Sequence, residues 1–232
     1  GYPSYNTFAG GAIANIGECT ITGNYNNSVG IIEGNYVTTD DINDYLVGGG
    51  ISNTVYEVSG TIRKGTCTVK GIKIGKNYLY GQTEEVPKSY GGGIYNASTM
   101  TVTENLIYQN WTSGYGGAIC NDFQYTDPNT VVSRGNCTIN SSTIGTWNCS
   151  AYGGGGIQNY ATLTINSSTI KTNLAGDGDG GGISECSVDY DTYQVEATCT
   201  LNNSIIGGDT SADMNQCTGS GGGIYLGDPH SI

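Results

Sequence analysis

The chain has little charge, and very little of it is basic. Only 12% of its 232 residues are charged, and eight Lys and Arg stand against twenty Asp and Glu, a net charge of −12 at pH 7. The eight cations form no stripe, so nothing complements a phosphate backbone, and nucleic-acid binding is excluded on electrostatic grounds. The same sign disfavours an anionic membrane surface. No apolar run approaches the roughly 18 residues of a helical membrane span, so none is expected. A single His and the lack of any C-x-x-C exclude the usual mixed zinc sets. No window repeats apolar residues at the helical spacing i, i+3, i+4, i+7 over a useful length, which argues against helices. There is no signal peptide and no initiator Met, so the chain beginning at Gly1 reads as a mature or excised product.

What is abundant is glycine, 39 residues of it, and it recurs in a fixed context. The stretch Gly154–Asn173, GGGIQNYATLTINSSTIKTN, is the unit on which the rest is built. Glycine runs precede Ile13, Ile51, Ile94, Ile119, Ile157, Ile183 and Ile224, at spacings of 38, 43, 25, 38, 26 and 41 residues. A second apolar station follows at Ile21, Val69, Val102, Ile139, Ile165 and Leu201, and a third at Ile32, Ile74, Ile107, Ile144, Ile170 and Ile206. An Asn or Asp then closes the cycle at Asn35, Asn77, Asn110, Asn148, Asn173 and Asp209. A fixed-order motif at such a period marks a solenoid. Cys137-Thr138-Ile139 and Leu163-Thr164-Ile165 alternate apolar and polar, so the stations are strands. Three short strands in a cycle of about 25 residues predict a right-handed three-sided parallel β-helix of about seven coils, stacked at about 4.8 Å. The whole chain is then one domain, with inserted loops at about 35–47, 54–66, 78–90, 121–136, 187–198 and 210–220. The glycine runs are corners, which is why they recur in every coil, and none of them is a phosphate loop.

The segments GGGIYN and TLTINSSTI, and the return from Asn to GGG, resemble the coils of right-handed parallel β-helix repeat proteins. They are similar to the repeats of bacterial secreted proteins and of polymorphic outer-membrane proteins, over nearly the whole chain. The resemblance implies the fold. It leaves function open, because such proteins include polysaccharide lyases, adhesins and proteins of no known activity.

Eight cysteines suggest an oxidising, extracellular compartment. Two pairs bracket inserted loops and are expected to bridge, Cys120–Cys137 and Cys186–Cys199. Cys19 and Cys67 hold the same station on adjacent coils and are a third expected pair. Cys149–Cys217 follows by elimination. The alternative is that the second-station cysteines are small buried hydrophobes, since Met100 and Leu163 replace them in undecorated coils. Sequons at Asn26, Asn96, Asn110, Asn136, Asn140, Asn148, Asn166 and Asn202 make N-linked glycans the one expected modification, with no cofactor.

Catalytic signals are sparse. A lyase of this shape needs calcium-binding acids and a basic partner, and a glycosidase needs two carboxylates at a set separation. Asp177 and Asp179 in GDGDGGG form the one candidate calcium turn, and a solvated corner accounts for them as well. Asp40-Asp41 has no basic partner. Arg63 and Arg134 sit beside no acidic ladder, and His230 follows Pro229 near the chain end. The cluster Arg63, Lys64, Lys70, Lys73 and Lys76 is expected to face solvent. No catalytic residue is assigned. The leading expectation is a structural extracellular protein whose coils continue from one copy to the next. Gly1, Tyr2, Pro3 and Asn6 at one end would meet Ile224, Tyr225, His230 and Ile232 at the other, with Ile232 on the second apolar station. The alternatives are an adhesin or carbohydrate-binding β-helix using tyrosine-rich loops, and a polysaccharide-degrading enzyme.

Overall fold

The computed structural model describes residues 7–24, 30–39, 44–58, 61–81, 88–127, 130–190 and 193–231. Among them the chain is a parallel β-helix, and every recurrent station of the sequence becomes a sheet. The first sheet gathers Ile13–Asn15, Ile51–Asn53, Ile94–Asn96, Ile119–Asn121, Ile157–Asn159, Ile183–Tyr190 and Ile224–Ser231. The second stacks Glu18–Thr22, Thr66–Lys70, Thr99–Thr103, Asn136–Asn140, Thr162–Asn166 and Thr198–Asn202. The third carries Ile31–Glu33, Lys73–Gly75, Leu106–Tyr108, Thr143–Gly145, Thr169–Ile170 and Ile205–Ile206. Each coil has a strand beyond the three expected. A fourth sheet runs through Tyr36–Thr39, Tyr78–Gly81, Trp111–Thr112, Cys149–Ser150, Leu174–Ala175 and Gln216–Cys217. A short fifth one joins Thr7–Ala9, Tyr45–Val47 and Ser89–Tyr90.

Register is strict because the apolar side chains must meet one another. Ile13, Ile51, Ile94, Ile119, Ile157, Ile183 and Ile224 pair in sequence along the first sheet, as the repeat predicts. The five inner ones are fully buried, while Ile13 and Ile224 are partly covered. With the second-station and third-station residues they fill a single continuous core. Each coil lends its neighbour the surface that it cannot bury alone.

The glycine corner is fixed by contact as much as by conformation. Gly154 has φ +64°, and a Cβ there would lie 2.5 Å from the carbonyl oxygen of Ile157. Gly155 and Gly156 lack positive φ, yet a Cβ on either would sit 2.6 Å from the carbonyl oxygen of Gly181 or Gly182 on the next coil. The first glycine makes the turn, and the next two let neighbouring backbones stack.

The expected loops are largely strands. Residues 54–66 hold the antiparallel hairpin Val55–Val58 with Thr61–Lys64, and 121–136 hold Phe123–Asp127 with Thr130–Arg134. Within 187–198, Ile183–Tyr190 continues into a hairpin with Tyr193–Val195. Residues 35–47 and 78–90 supply strands of the fourth and fifth sheets. Only 210–220 keeps a helical turn, Ser211–Asp213.

Two buried amide ladders run across the coils. Asn15, Asn53, Asn96, Asn121 and Asn159 each donate Nδ2 to the Oδ1 of the next, at 2.7–2.8 Å. Asn35, Asn77, Asn110, Asn148, Asn173 and Asn215 do the same at 2.7–3.0 Å. The last member corrects the sequence reading. Asn215, not Asp209, closes the sixth coil, so the extra residues lie between Ile206 and Asn215 and the expected 210–220 loop straddles the corner. The residue before the ladder Asn is left-handed in four coils, at Lys76, Gln109, Trp147 and Thr172. Such conformations cost about 1–3 kcal/mol each and persist where surrounding structure over-determines them. Here the ladder amide on the following residue holds the corner.

Candidate functional site

Alternation places every second residue of a wall strand outside, and the fourth sheet uses those positions for aromatics. In Tyr78–Gly81 the inward residue Leu79 is fully buried, while Tyr78 and Tyr80 are 43% and 44% exposed. Tyr78 pairs in register with Tyr36 on one side and Trp111 on the other. The ring of Tyr36, 65% exposed, lies 6.5 Å from that of Tyr78. Tyr80 stacks on Trp111 at 5.9 Å and 18° between planes. Three exposed tyrosines and the half-buried Trp111 therefore form a strip across three consecutive coils.

A second aromatic set is more deeply placed. Tyr45, Tyr90, Tyr115 and Tyr152 stack in a column at 6.3, 5.9 and 5.8 Å, and Tyr160 meets Tyr115 edge-on at 6.3 Å. Beneath them the outward residues of the first sheet, Tyr95 and Cys120, pack with Val47 and Ala97. Burial holds the hydroxyls of Tyr90, Tyr95 and Tyr160 well above the ordinary tyrosine range. Gln158, 1% exposed, leaves both side-chain polar atoms without a partner among the described residues.

Asp122 borders this cluster and was passed over in the sequence. It stands where other coils put Thr54, Ala97 or Tyr160 after the ladder Asn, and that substitution was the signal. Its carboxylate accepts from the Tyr95 hydroxyl at 3.1 Å and from the Phe123 N–H at 2.8 Å. Burial nevertheless lifts its pKa from 3.8 to about 6, against those two bonds. A raised carboxyl pKa means that the folded chain favours the neutral form. Its stability contribution is complete below pH 4 and is lost as pH rises through 6. Asp122→Asn is expected to raise stability at pH 7 by on the order of 1–2 kcal/mol and to flatten the loss between pH 4 and 6. Urea unfolding followed by circular dichroism at several pH values measures both.

The cysteines follow strand parity. All eight are thiols in this structure. Cys19 and Cys67 are brought together, paired in register with both side chains toward the core. The other expected pairs are not. Cys120 directly follows the inward Ile119 and faces the outer cluster, whereas Cys137 lies in the core. Cys186 contacts the outward Ser184 at 3.6 Å, while Cys199 packs toward the core. Cys149 aligns with Leu174 and Gln216, and Cys217 with Ser150, two coils away and one column over. Burial lifts the thiols of Cys67, Cys137 and Cys199 to about 12, so none is a thiolate nucleophile at neutral pH.

Asn96, Asn110 and Asn148 are corrected as glycan sites. All three are fully buried ladder members, and a sugar on Nδ2 would replace bonds that join the coils. Asn136 is exposed. Asn140, Asn166 and Asn202 bond to one another along the outer surface, and Asn26 lies outside the described residues. Asp179 accepts from the backbone N–H of Ser220 on the next coil, so its carboxylate serves a corner, and Asp177 is exposed beside it. Among the described residues no three His, Cys, Asp or Glu side chains converge on a metal position. The basic cluster faces outward, with Lys70 and Lys76 paired to Glu104 and Glu33 at 3.6 and 3.7 Å.

Of the expected inter-subunit residues, Gly1, Tyr2, Pro3, Asn6 and Ile232 lie outside the described set. Ile224 and Tyr225 pair with Ile183 and Ser184, and the strand continues through a register shift after Cys186 and Gly227 that sets His230 beside Val188. The strand follows the coil-six hairpin and does not turn after its third residue, and the expected second-station place of Ile232 lies outside the described residues.

No protein-family model, curated protein or solved structure matches the chain. Among the described residues no helix is long and apolar enough to cross a membrane.

Proposed function

We propose that this chain is a non-catalytic, carbohydrate-binding β-helix that works as a rigid extracellular rod. The observation that carries the reading is the strip of Tyr36, Tyr78, Tyr80 and Trp111. Sugars offer apolar C–H faces and many hydroxyls, and aromatic side chains with a polar tip suit both. A wall of stacked strands holds the rings at fixed spacing, so little is lost in ordering them when a ligand binds. A net charge of −12 favours a neutral or cationic polymer over an anionic one. The head-to-tail filament draws no comparable support, since the C-terminal strand departs from the register on which that reading depends.

The test is titration of soluble β-glucan, xylan and chitin oligosaccharides, read by tryptophan fluorescence. Trp111→Phe separates loss of signal from loss of binding by calorimetry. Tyr78→Ala and Tyr80→Ala are each expected to weaken the responding ligand about tenfold, or about 1.4 kcal/mol, with the far-ultraviolet spectrum unchanged. Equal affinity in both variants would exclude the strip.

A further inference from the structure

The second sheet presents a different outer surface, built almost wholly from one residue type. Inward positions of its six strands alternate with outward ones, and the outward middle column reads Thr20, Thr68, Thr101, Thr138, Thr164 and Thr200 without exception. The column on one side repeats threonine in four of its six places, at Thr66, Thr99, Thr162 and Thr198. The other begins with Thr22 and ends in the amides Asn140, Asn166 and Asn202, which bond to one another at 2.9 and 2.8 Å. Pairing is in register across all six strands with no bulge. The grid therefore repeats at about 4.8 Å between coils and about 6.6 Å along each strand, over about 24 by 13 Å.

Structural demand does not account for the middle column. Its side chains point away from the core, and no hydrogen bond among the described residues uses one of its hydroxyls. Any polar or β-branched residue would satisfy an exposed strand position. Threonine brings a methyl and a hydroxyl together on a side chain that is stiff about χ1, so the array is ordered before anything binds. Its charge is also telling. In a chain of net −12, the three columns of this face hold only Glu18 and Lys70, at the first two coils, and Lys70 is paired with Glu104 at 3.6 Å.

We propose that this face binds ice. The occupant must be neutral, to match a face without net charge. It must also repeat in two dimensions, which a single sugar chain, a peptide or a lipid headgroup does not. It must offer hydrogen-bond donors and acceptors at the separation of near neighbours in a water lattice, with gaps that accept a methyl. A crystalline plane of water meets all three conditions. The hydroxyls join the lattice, the methyls fill its hollows, and the amide column fixes one border.

The experiment uses the full chain made in a host that adds no glycans, because Asn136, Asn140, Asn166 and Asn202 share this face. Ice is grown slowly from the protein solution, and protein in the ice is compared with protein in the liquid. The wild-type chain is expected to be enriched in the ice and to shape the crystal. Thr101→Lys combined with Thr138→Lys is expected to abolish both effects while the circular dichroism stays native. Thr138→Val and Thr138→Ser divide the effect between hydroxyl and methyl. Rejection of the wild-type chain by ice overturns the proposal, as does undiminished uptake of the double-lysine variant. Capture by crystalline cellulose or chitin with exclusion from ice also overturns it, and assigns the face to a sugar lattice.

Discussion

Ile157→Asp is expected to abolish folding of the array. Ile157 is fully buried, in the interior of the isoleucine ladder between Ile119 and Ile183. A carboxylate there would enter the continuous apolar core that Ile157 shares with the neighbouring coils. An unpaired buried charge is among the few lesions that exceed about 4–5 kcal/mol, against a typical domain stability of about 5–15 kcal/mol. In a solenoid the damage is also topological, because the core of coils one to four continues into that of coils five to seven through this layer. Ile157→Val, which removes one methylene, is expected to cost about 0.5–1.5 kcal/mol and to fold. Soluble yield, circular dichroism and sedimentation of the two variants decide the matter. A soluble, cooperatively folded Ile157→Asp would mean that the core is misassigned.

Asn110→Ala is expected to cost about 3–5 kcal/mol although it removes no apolar contact. The Asn110 side chain donates to the Ile74 carbonyl at 3.0 Å and to Asn148 Oδ1 at 3.0 Å. Its own Oδ1 accepts from the backbone N–H and the Nδ2 of Asn77, at 3.2 and 2.9 Å. Truncation removes four buried hydrogen bonds at once, and the left-handed Gln109 before it loses its anchor. Asn110→Asp is the sharper probe, because a carboxylate can still accept from Asn77 and cannot donate to Asn148. Denaturant unfolding of both variants measures the loss. A cost below about 1 kcal/mol for Asn110→Ala would show that the ladder is incidental to stability.

The core was legible because an isoleucine follows a glycine run seven times. The second apolar station that follows, eight residues on in the coils that start at Ile13, Ile94 and Ile157, needs no outside partner to be recognised. The fourth strand was harder to read because its outward residues differ in every coil. Tyr78-Leu79-Tyr80 and Leu174-Ala175 share only an inward residue of variable size, so neither composition nor alternation marks them as one sheet. The cysteine pairs were misplaced by weighing loop length over parity, since a residue directly after an inward Ile must face outward. Three of the sequons, Asn96, Asn110 and Asn148, were misread for a related reason. An asparagine that returns once in every coil is doing the same thing each time, and here that is to bond its neighbours. The threonine face was written in the sequence as TCT, TMT, NCT, TLT and TCT, yet only the register shows that these triplets lie side by side.

The hydrogen bonds that join the coils also decide how the rod yields to force. They run along its long axis, from the backbone of one coil to that of the next, as from Ile119 N–H to Gly156 O at 3.0 Å. Pulling on the two ends loads these bonds head-on, a few at a time, and does not shear a whole sheet together. The terminal coil must detach before the next one feels the load. Each undecorated coil of about 25 residues frees roughly 80 Å of chain in exchange for a few ångströms of rod. Stretched between an anchor and a surface, the molecule would pay out in even steps and dissipate energy at each, as a tape peels from a roll. Single-molecule pulling should resolve those steps, shortest for the coils that start at Ile94 and Ile157.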